Sequence, residues 1–273
     1  MKFTKMHGAG NDFIIINTME ENIDRGELPE LARKLCARRM SVGADGMMAI
    51  IPAKKGGDFG MLFYNSDGSI GEMCGNGARC ICRYGFEKGL AGDKPRIETT
   101  AGLVSGERLD GINYRIRLND ATTLEPCRSV KLDGQMLHCA YVELGMPGIP
   151  HAIVELKGWQ SKGRDELRRM GRTLRFAPEF PRGANVSFVD IVSPEEVYII
   201  TYERGVEDFT LACGTGCGSA AAALFMQNKC GRELLLHAGG GDLKVELCGN
   251  DRGIRDIYLS GPTCMVCEGE TAE

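Results

Sequence analysis

Short apolar runs, broken by glycine and polar turns, dominate the chain, and helical spacing is sustained in only a few places. Residues 3–17 predict two short strands around the turn His7-Gly8-Ala9-Gly10-Asn11-Asp12, the second carried by Phe13-Ile14-Ile15-Ile16. Residues 27–40 predict the first helix: Pro29 sits near its start, and Leu28, Leu31, Ala32 and Leu35 keep the spacing of one buried face. Strands follow at 47–51 and 59–64, then the turn Asn65-Ser66-Asp67-Gly68 and a second helical run with Ala78, Ile81, Cys82 and Gly85 on one side. Residues 96–118 read as a β-meander with a turn at Asp110-Gly111. After a candidate boundary at 122–125, strands are expected within 130–156, interrupted by residues 145–151. A helix is predicted at 164–174, strands at 184–189 and 197–202, and an alanine-rich helix to about residue 228. Three final strands surround residues 234–236, 243–247 and 257–259.

The order is strands, a helix rich in small residues, more strands, and then the same again. That order predicts an α+β fold of two similar halves, mainly antiparallel, each wrapped around one helix. The expected domains are residues 1–120, with a final strand of about 258–273 returning to them, and residues 121–257. The run 218–226 suits a core helix, because Ser219 and the alanines allow close contact with a sheet.

The repeat extends to chemistry. Met73-Cys74-Gly75-Asn76-Gly77-Ala78-Arg79 opens the first small-residue helix, and Ala212-Cys213-Gly214-Thr215-Gly216-Cys217-Gly218 opens the second, about half the chain later. A helix N-terminus lowers a thiol pKa, since the first backbone N–H groups carry partial positive charge. Glycine after the cysteine leaves those groups uncovered, and they also suit a carboxylate. Two such ends facing one pocket would set a thiol and a thiolate on opposite faces of the carbon beside a bound carboxylate. That arrangement suits removing a proton from one face and returning one to the other, with the two thiols titrating as a coupled pair. Glu203-Arg204-Gly205 adds the opposite charges that an amino acid needs, an ammonium partner and a carboxylate clamp. Neighbours on a strand point to opposite faces, so both can serve one pocket only if the strand has ended. Asn11, Asn65, Asn76 and Asn185 supply uncharged donors and acceptors.

Composition narrows the field. The 273 residues carry a net charge of −4, with no basic footprint for nucleic acid. The N-terminus lacks a signal peptide, and the longest apolar run, 220–226, is far short of a membrane span. The expected location is cytoplasmic, where the twelve cysteines are reduced and mostly buried. The Gly8-Ala9-Gly10 stretch is not a dinucleotide loop, since Phe13 takes the third glycine position and no helix follows. Cys264-Met265-Val266-Cys267 has the spacing of half a zinc site or a redox pair, without a second pair to complete it. Cys80, Cys82 and Cys217 are read as core, and the five arginines of 164–175 as one solvated helix face.

With these residues in view, the chain resembles the diaminopimelate epimerase family. The resemblance rests on Met6 to Phe13, Tyr64 to Gly68, Met73 to Arg79, Pro150-His151, Ala184-Asn185-Val186, Tyr202 to Gly205 and Ala212 to Gly216, in order through both halves. It implies two strand-rich barrels, each around a central helix, with the site in the cleft between them. It implies an isomerase of lysine and peptidoglycan synthesis that converts LL- to meso-diaminopimelate with no metal, no pyridoxal phosphate and no other cofactor. Cys74 and Cys213 would be the acid/base pair, and Gly75, Asn76, Gly214 and Thr215 would hold the reacting carboxylate through backbone N–H groups. Glu203 would hold the reacting ammonium. Asn65, Asn185 and Arg204 would recognise the distal end, with Asn11 lining the pocket. His151 is either a structural histidine or part of the site wall. The partner is a small amino acid, with no nucleic acid or membrane, and relatives often pair as homodimers. Ile149 stands where many members carry asparagine and Gly46 where some carry glutamine, and both departures bear on the distal half. Two other readings stay open: a cofactor-independent racemase of another amino acid, and a non-enzymatic zinc or thiol-redox protein.

Overall fold

A computed structural model describes residues 1–71, 74–250 and 253–272. The chain gathers into two units, Met1–Ile116 with Gly261–Glu273, and Arg117–Ser260.

The first unit begins with β1 (Lys2–Gly8) and β2 (Asn11–Asn17), then a one-turn helix α1 (Thr18–Glu21) and α2 (Leu28–Cys36). β3 (Gly46–Ile51) and β4 (Phe59–Asn65) follow, then α3 (Gly75–Glu87), β5 (Arg96–Thr99), β6 (Gly102–Arg108) and β7 (Asn113–Arg117). The second unit holds β8 (Ala121–Leu132), β9 (Gln135–Leu144), β10 (Ile149–Glu155), α4 (Arg164–Arg175), β11 (Asn185–Ser193), β12 (Glu196–Glu203) and β13 (Asp208–Thr210). It continues through α5 (Gly214–Met226), β14 (Glu233–Ala238), β15 (Gly241–Asn250) and β16 (Gly253–Glu270).

Strand pairing exposes the repeat. From β1 to β7 the successive pairs run antiparallel, parallel, antiparallel, parallel, antiparallel, antiparallel. The series β9, β10, β11, β12, β14, β15, β16 runs through the same six orientations in the same order. Each parallel step is a crossover that needs a helix: α2 and α3 in the first unit, α4 and α5 in the second. β16 serves both units. Its early residues pair with β15, and its last eight with β1. With β7 beside it, β16 closes the first unit into an eight-stranded barrel. In the second unit β8 pairs antiparallel with β9, and the Leu118 N–H donates to the Ile257 carbonyl on β16.

Burial explains which helix goes where. α2 turns Leu28, Ala32 and Leu35 onto Ile14, Ile16, Met47 and Ala49. α4 turns Leu167 and Leu174 onto Val186, Phe188 and Tyr202, and its arginines pair at the surface, Arg168 with Asp165 and Asp208, Arg175 with Glu207. α3 and α5 are different: ten of thirteen residues are buried in each. Small residues make that possible. Gly85 lies against the Phe59 ring and Gly218 against Leu118 and Ile257. Cys80, Cys82 and Cys217 are core. No helix among the described residues is long and apolar enough to cross a membrane.

Two expectations need correction. The helix expected over 27–40 ends at Cys36, because Gly43 and Ala44 fold back to donate to the Leu35 and Cys36 carbonyls. Arg39 then takes a positive φ of 72° in the turn. Residues 122–125 lie inside β8 rather than in a linker. The final strand, expected at about 258–273, spans Gly253–Glu270.

Candidate active site

Both cysteine motifs fold alike. Cys74 is the N-cap of α3 and Cys213 the N-cap of α5, each in extended backbone at φ −103° and −115°. The first N–H groups of a helix have no partner within it. Neither first turn holds an acidic side chain that would compete with an outside anion for the positive helix end. The glycines matter sterically as well: a Cβ on Gly216 would come 3.1 Å from Thr201 Oγ1 and 3.2 Å from Ser187 Oγ. Met73, which opens the first motif, lies outside the described residues.

In the first unit, Cys74 is half-buried and makes no capping bond of its own. Its thiol instead donates to Asn11 Oδ1 at 3.3 Å. Asn11 stands at the start of β2, and its Nδ2 donates to Asp45 Oδ2 at 2.7 Å. Asp45 also accepts from the Asp12 N–H and from Arg38, and Arg38 and Lys5 both hold Asp12. These bonds hold the Asp12 carboxyl below its usual range, although burial alone would raise it. Asn76 is buried, its Oδ1 accepting from the fully buried Arg79 at 3.2 Å. Asn65 ends β4, and its amide donates to Ser69. Asp45 is the residue that sequence reasoning missed. It sits in a loop among several polar residues, and nothing in the pattern separates it from them.

The second unit brings more of the expected residues together. Cys213 is buried and accepts from the Gly216 N–H at 3.4 Å, with Thr215 Oγ1 at 3.6 Å. Burial pushes this thiol well up and the Glu203 charge adds to that, while the Thr215 and Gly216 bonds work the other way. Thr215 Oγ1 also meets His151 Nε2 at 3.0 Å. His151 is fully buried on β10, with its Nδ1 unpartnered. Burial first, and the Arg204 charge second, lower it to about 3, so its imidazole is neutral at any ordinary pH. β12 ends at Glu203, which accepts from Thr210. The next residues turn at Gly205, φ 92°, which meets the condition for Glu203 and Arg204 to serve one pocket. Asn185 ties this turn down: its Oδ1 accepts from the Arg204 N–H at 2.8 Å and its Nδ2 donates to the Pro150 carbonyl at 3.1 Å. The Arg204 guanidinium donates to the Arg182 carbonyl.

The departure at Gly46 has a local explanation. Gly46 on β3 lies under Phe63, whose ring would stand 2.5 Å from an added Cβ. Phe63 thus fills the space a larger residue would need. Ile149 opens β10 beside Pro150. Cys264 and Cys267 lie on β16 across from β1, and among the described residues no group of three or more His, Cys, Asp or Glu could hold a metal ion.

A pair of similar barrels, each presenting a thiol at the N-terminus of its buried helix, is the frame of an isomerase of the epimerase and racemase class. The solved structures it is similar to share that fold. A phenazine biosynthesis protein of the PhzF family from Bacillus anthracis aligns with TM-score 0.74 and 16% identity, covering 100% of this chain and 99% of its own. A probable proline racemase from Agrobacterium radiobacter K84 aligns with TM-score 0.71 and 18% identity, covering 99% and 92%. Sequence is more specific. The family model for diaminopimelate epimerase matches residues 3–111 and 144–266. The diaminopimelate epimerase of Aquifex aeolicus (strain VF5) is 34% identical over 284 residues, spanning 100% of this chain and 98% of its own. That of Moorella thermoacetica (strain ATCC 39073 / JCM 9320) is 34% identical over 287 residues, spanning 99% of each. The chain belongs to the diaminopimelate epimerase family.

Proposed function

We propose that this protein is a diaminopimelate epimerase that interconverts the LL and meso forms with Cys74 and Cys213 as its two bases. The observation that carries the reading is the duplicated N-cap cysteine on a buried, glycine-flanked helix. The substrate carboxylate takes the N–H groups of both first turns, through Gly75, Asn76, Gly214 and Thr215. Glu203 takes the reacting ammonium, and Asn65, Asn185 and Arg204 hold the distal amino-acid end, with Asn11 beside it. One thiolate removes the α-proton, the carboxylate oxygens take up the charge against the helix N–H groups, and the opposite thiol returns a proton to the other face. Each helix end contributes about 1–2 kcal/mol to that charge, so aligned donors and exclusion of water must provide the rest of the rate. On this reading the protein works in the cytoplasm as a homodimer, in the supply of lysine and of peptidoglycan precursor.

The test is substitution with a chemical readout. Cys74→Ala and Cys213→Ala should each abolish net epimerisation of LL-diaminopimelate, and full activity in either would refute the pair. Ile149 favours keeping a second reading, a racemase of another amino acid on the same machinery, because its apolar side chain stands where a distal polar contact is expected. A panel of L-amino acids assayed beside LL-diaminopimelate separates the two.

A further inference from the structure

Arg182 lies outside every motif, three residues before Asn185, yet it joins two parts of the site. Its main-chain carbonyl accepts from the Arg204 guanidinium at 3.2 Å. Its own guanidinium donates to the Gly148 carbonyl at 3.2 Å, in the peptide that leads into Ile149. A second guanidinium nitrogen meets Glu143 Oε1 on β9 at 2.7 Å. A fully exposed ion pair contributes little. Here the Glu143 side chain is only 15% exposed, and it also accepts from the Tyr141 hydroxyl. Burial alone would raise the Glu143 carboxyl, but the Tyr141 and Arg182 bonds hold it below its usual range. Gly148 packs on the same side chain, since an added Cβ would come 2.6 Å from Glu143 Cβ and 2.7 Å from its Oε2. The turn that carries Arg182 is itself closed by the Gly183 N–H, which donates to the Phe180 carbonyl at 2.7 Å. Only the planar fork of arginine spans a carbonyl and a carboxylate in this way.

We propose that Arg182 is a positioning residue that sets the gap between Ile149 and Arg204, and so tunes how tightly the distal end of the substrate is held. This rests on the reading above that places position 149 and Arg204 at that distal end. Arg182 need not touch the substrate. Its carbonyl fixes where the Arg204 charge stands, and its side chain fixes the peptide before Ile149 against Glu143. The apolar Ile149 cannot seek out a distal carboxylate or ammonium by hydrogen bonding, so its part is to bound the space, and a boundary works only if it is held still. The reacting carbon is gripped elsewhere, at the two cysteine helix ends. Loosening the distal wall therefore weakens binding of substrate and transition state alike, which moves KM and leaves kcat in place.

Arg182→Ala tests it, with the full-length protein and LL-diaminopimelate in steady-state kinetics. KM should rise about tenfold, the worth of one hydrogen bond to a charged group, while kcat stays within about twofold. Arg182→Lys keeps the charge beside Glu143 but loses the fork, and should recover only part of the KM. An unchanged KM overturns the proposal. So does a fall in kcat and melting temperature with KM unmoved, the mark of a residue that merely supports the fold. Should Arg182→Ala fail to fold, Glu143→Gln loosens the same clamp from its other end while leaving an acceptor for Tyr141. KM must then rise in the same sense, and no rise overturns the proposal. If the unaltered protein turns over neither LL-diaminopimelate nor any amino acid of the panel, the reading above fails and this proposal fails with it. An active protein whose KM ignores Arg182 overturns this proposal alone.

Discussion

Cys213 shows how a buried thiol is kept usable. Burial and Glu203 push its proton affinity up, and the Thr215 hydroxyl and Gly216 N–H pull it back. Thr215 has a second duty, since His151 Nε2 has it as partner at 3.0 Å and the other ring nitrogen has none. Thr215→Val should therefore lower kcat about tenfold, the effect of one lost hydrogen bond in the site, and cost about 1–3 kcal/mol of stability by orphaning the buried imidazole. Thr215→Ser should recover most of both. Steady-state kinetics with thermal melts check this, and an unaltered kcat in the valine variant would count against the contact. At this scale the sequence was legible where chemistry and glycine coincide, as at Cys74-Gly75 and Cys213-Gly214. It was illegible where a residue acts through another. Asp45 reads as one more polar loop residue, because its partners, Asn11 and Arg38, are set by folding and not by spacing.

At the scale of elements, β1 ends in close contact with α3. A Cβ on Gly8 would lie 2.8 Å from the Asn76 carbonyl oxygen and 3.3 Å from Cys80 Sγ. The nearer contact is backbone, in the first turn of the helix that presents Cys74, and it cannot swing aside. Gly8→Ala should shift that turn, with about 1–3 kcal/mol of overpacking strain. Activity should fall by more than the melting temperature alone would explain, and a fully active variant would show that the turn tolerates the shift. Farther off, His237 on β14 clasps β12 through Glu196 and β15 through Asp242, each at 2.7 Å. Burial alone would lower its pKa, but the two carboxylates outweigh that and raise it. A raised pKa means that the charged clasp stabilises the fold fully below the unfolded value of 6.5 and is lost as pH climbs through the folded one. The melting-temperature gap between the protein and His237→Gln should be wider at pH 6 than at pH 9. An equal gap at both would rule out the charged form. Strand limits were harder to foresee than strand existence. β8 begins with exposed and half-buried residues that read as a boundary, and β16 crosses Ser260-Gly261-Pro262 without a break because pairing with β15 and then β1 carries it to Glu270.

At the scale of the whole molecule the twelve free cysteines become a stability term. Burial raises Cys80, Cys82 and Cys139 from the ordinary 9.0 to about 12, and Cys36 and Cys230 to about 11. An unfolded chain releases these protons near pH 9 while the folded one retains them. Stability is therefore full below that pH and falls as pH rises toward 11–12, each thiol contributing about 1.4 kcal/mol per pH unit. Thermal melts should drop steeply between pH 8.5 and 10.5, and a flat response would mean that these thiols are not shielded. The repeat itself was legible from the duplicated cysteine motif, and the six matching pair orientations give it a structural form. The parallel crossovers over α2 and α4 were not legible, because short buried strands carry the same apolar run whichever way they pair.

The central claim, one proton removed by one thiol and another returned by a second, is tested most directly in heavy water with LL-diaminopimelate at low conversion. Solvent deuterium should appear at the epimerised α-carbon of the meso product, and none in the LL isomer recovered alongside it. Product that keeps its original hydrogen, or deuterium entering recovered substrate as early as product, would point to a single base and contradict it.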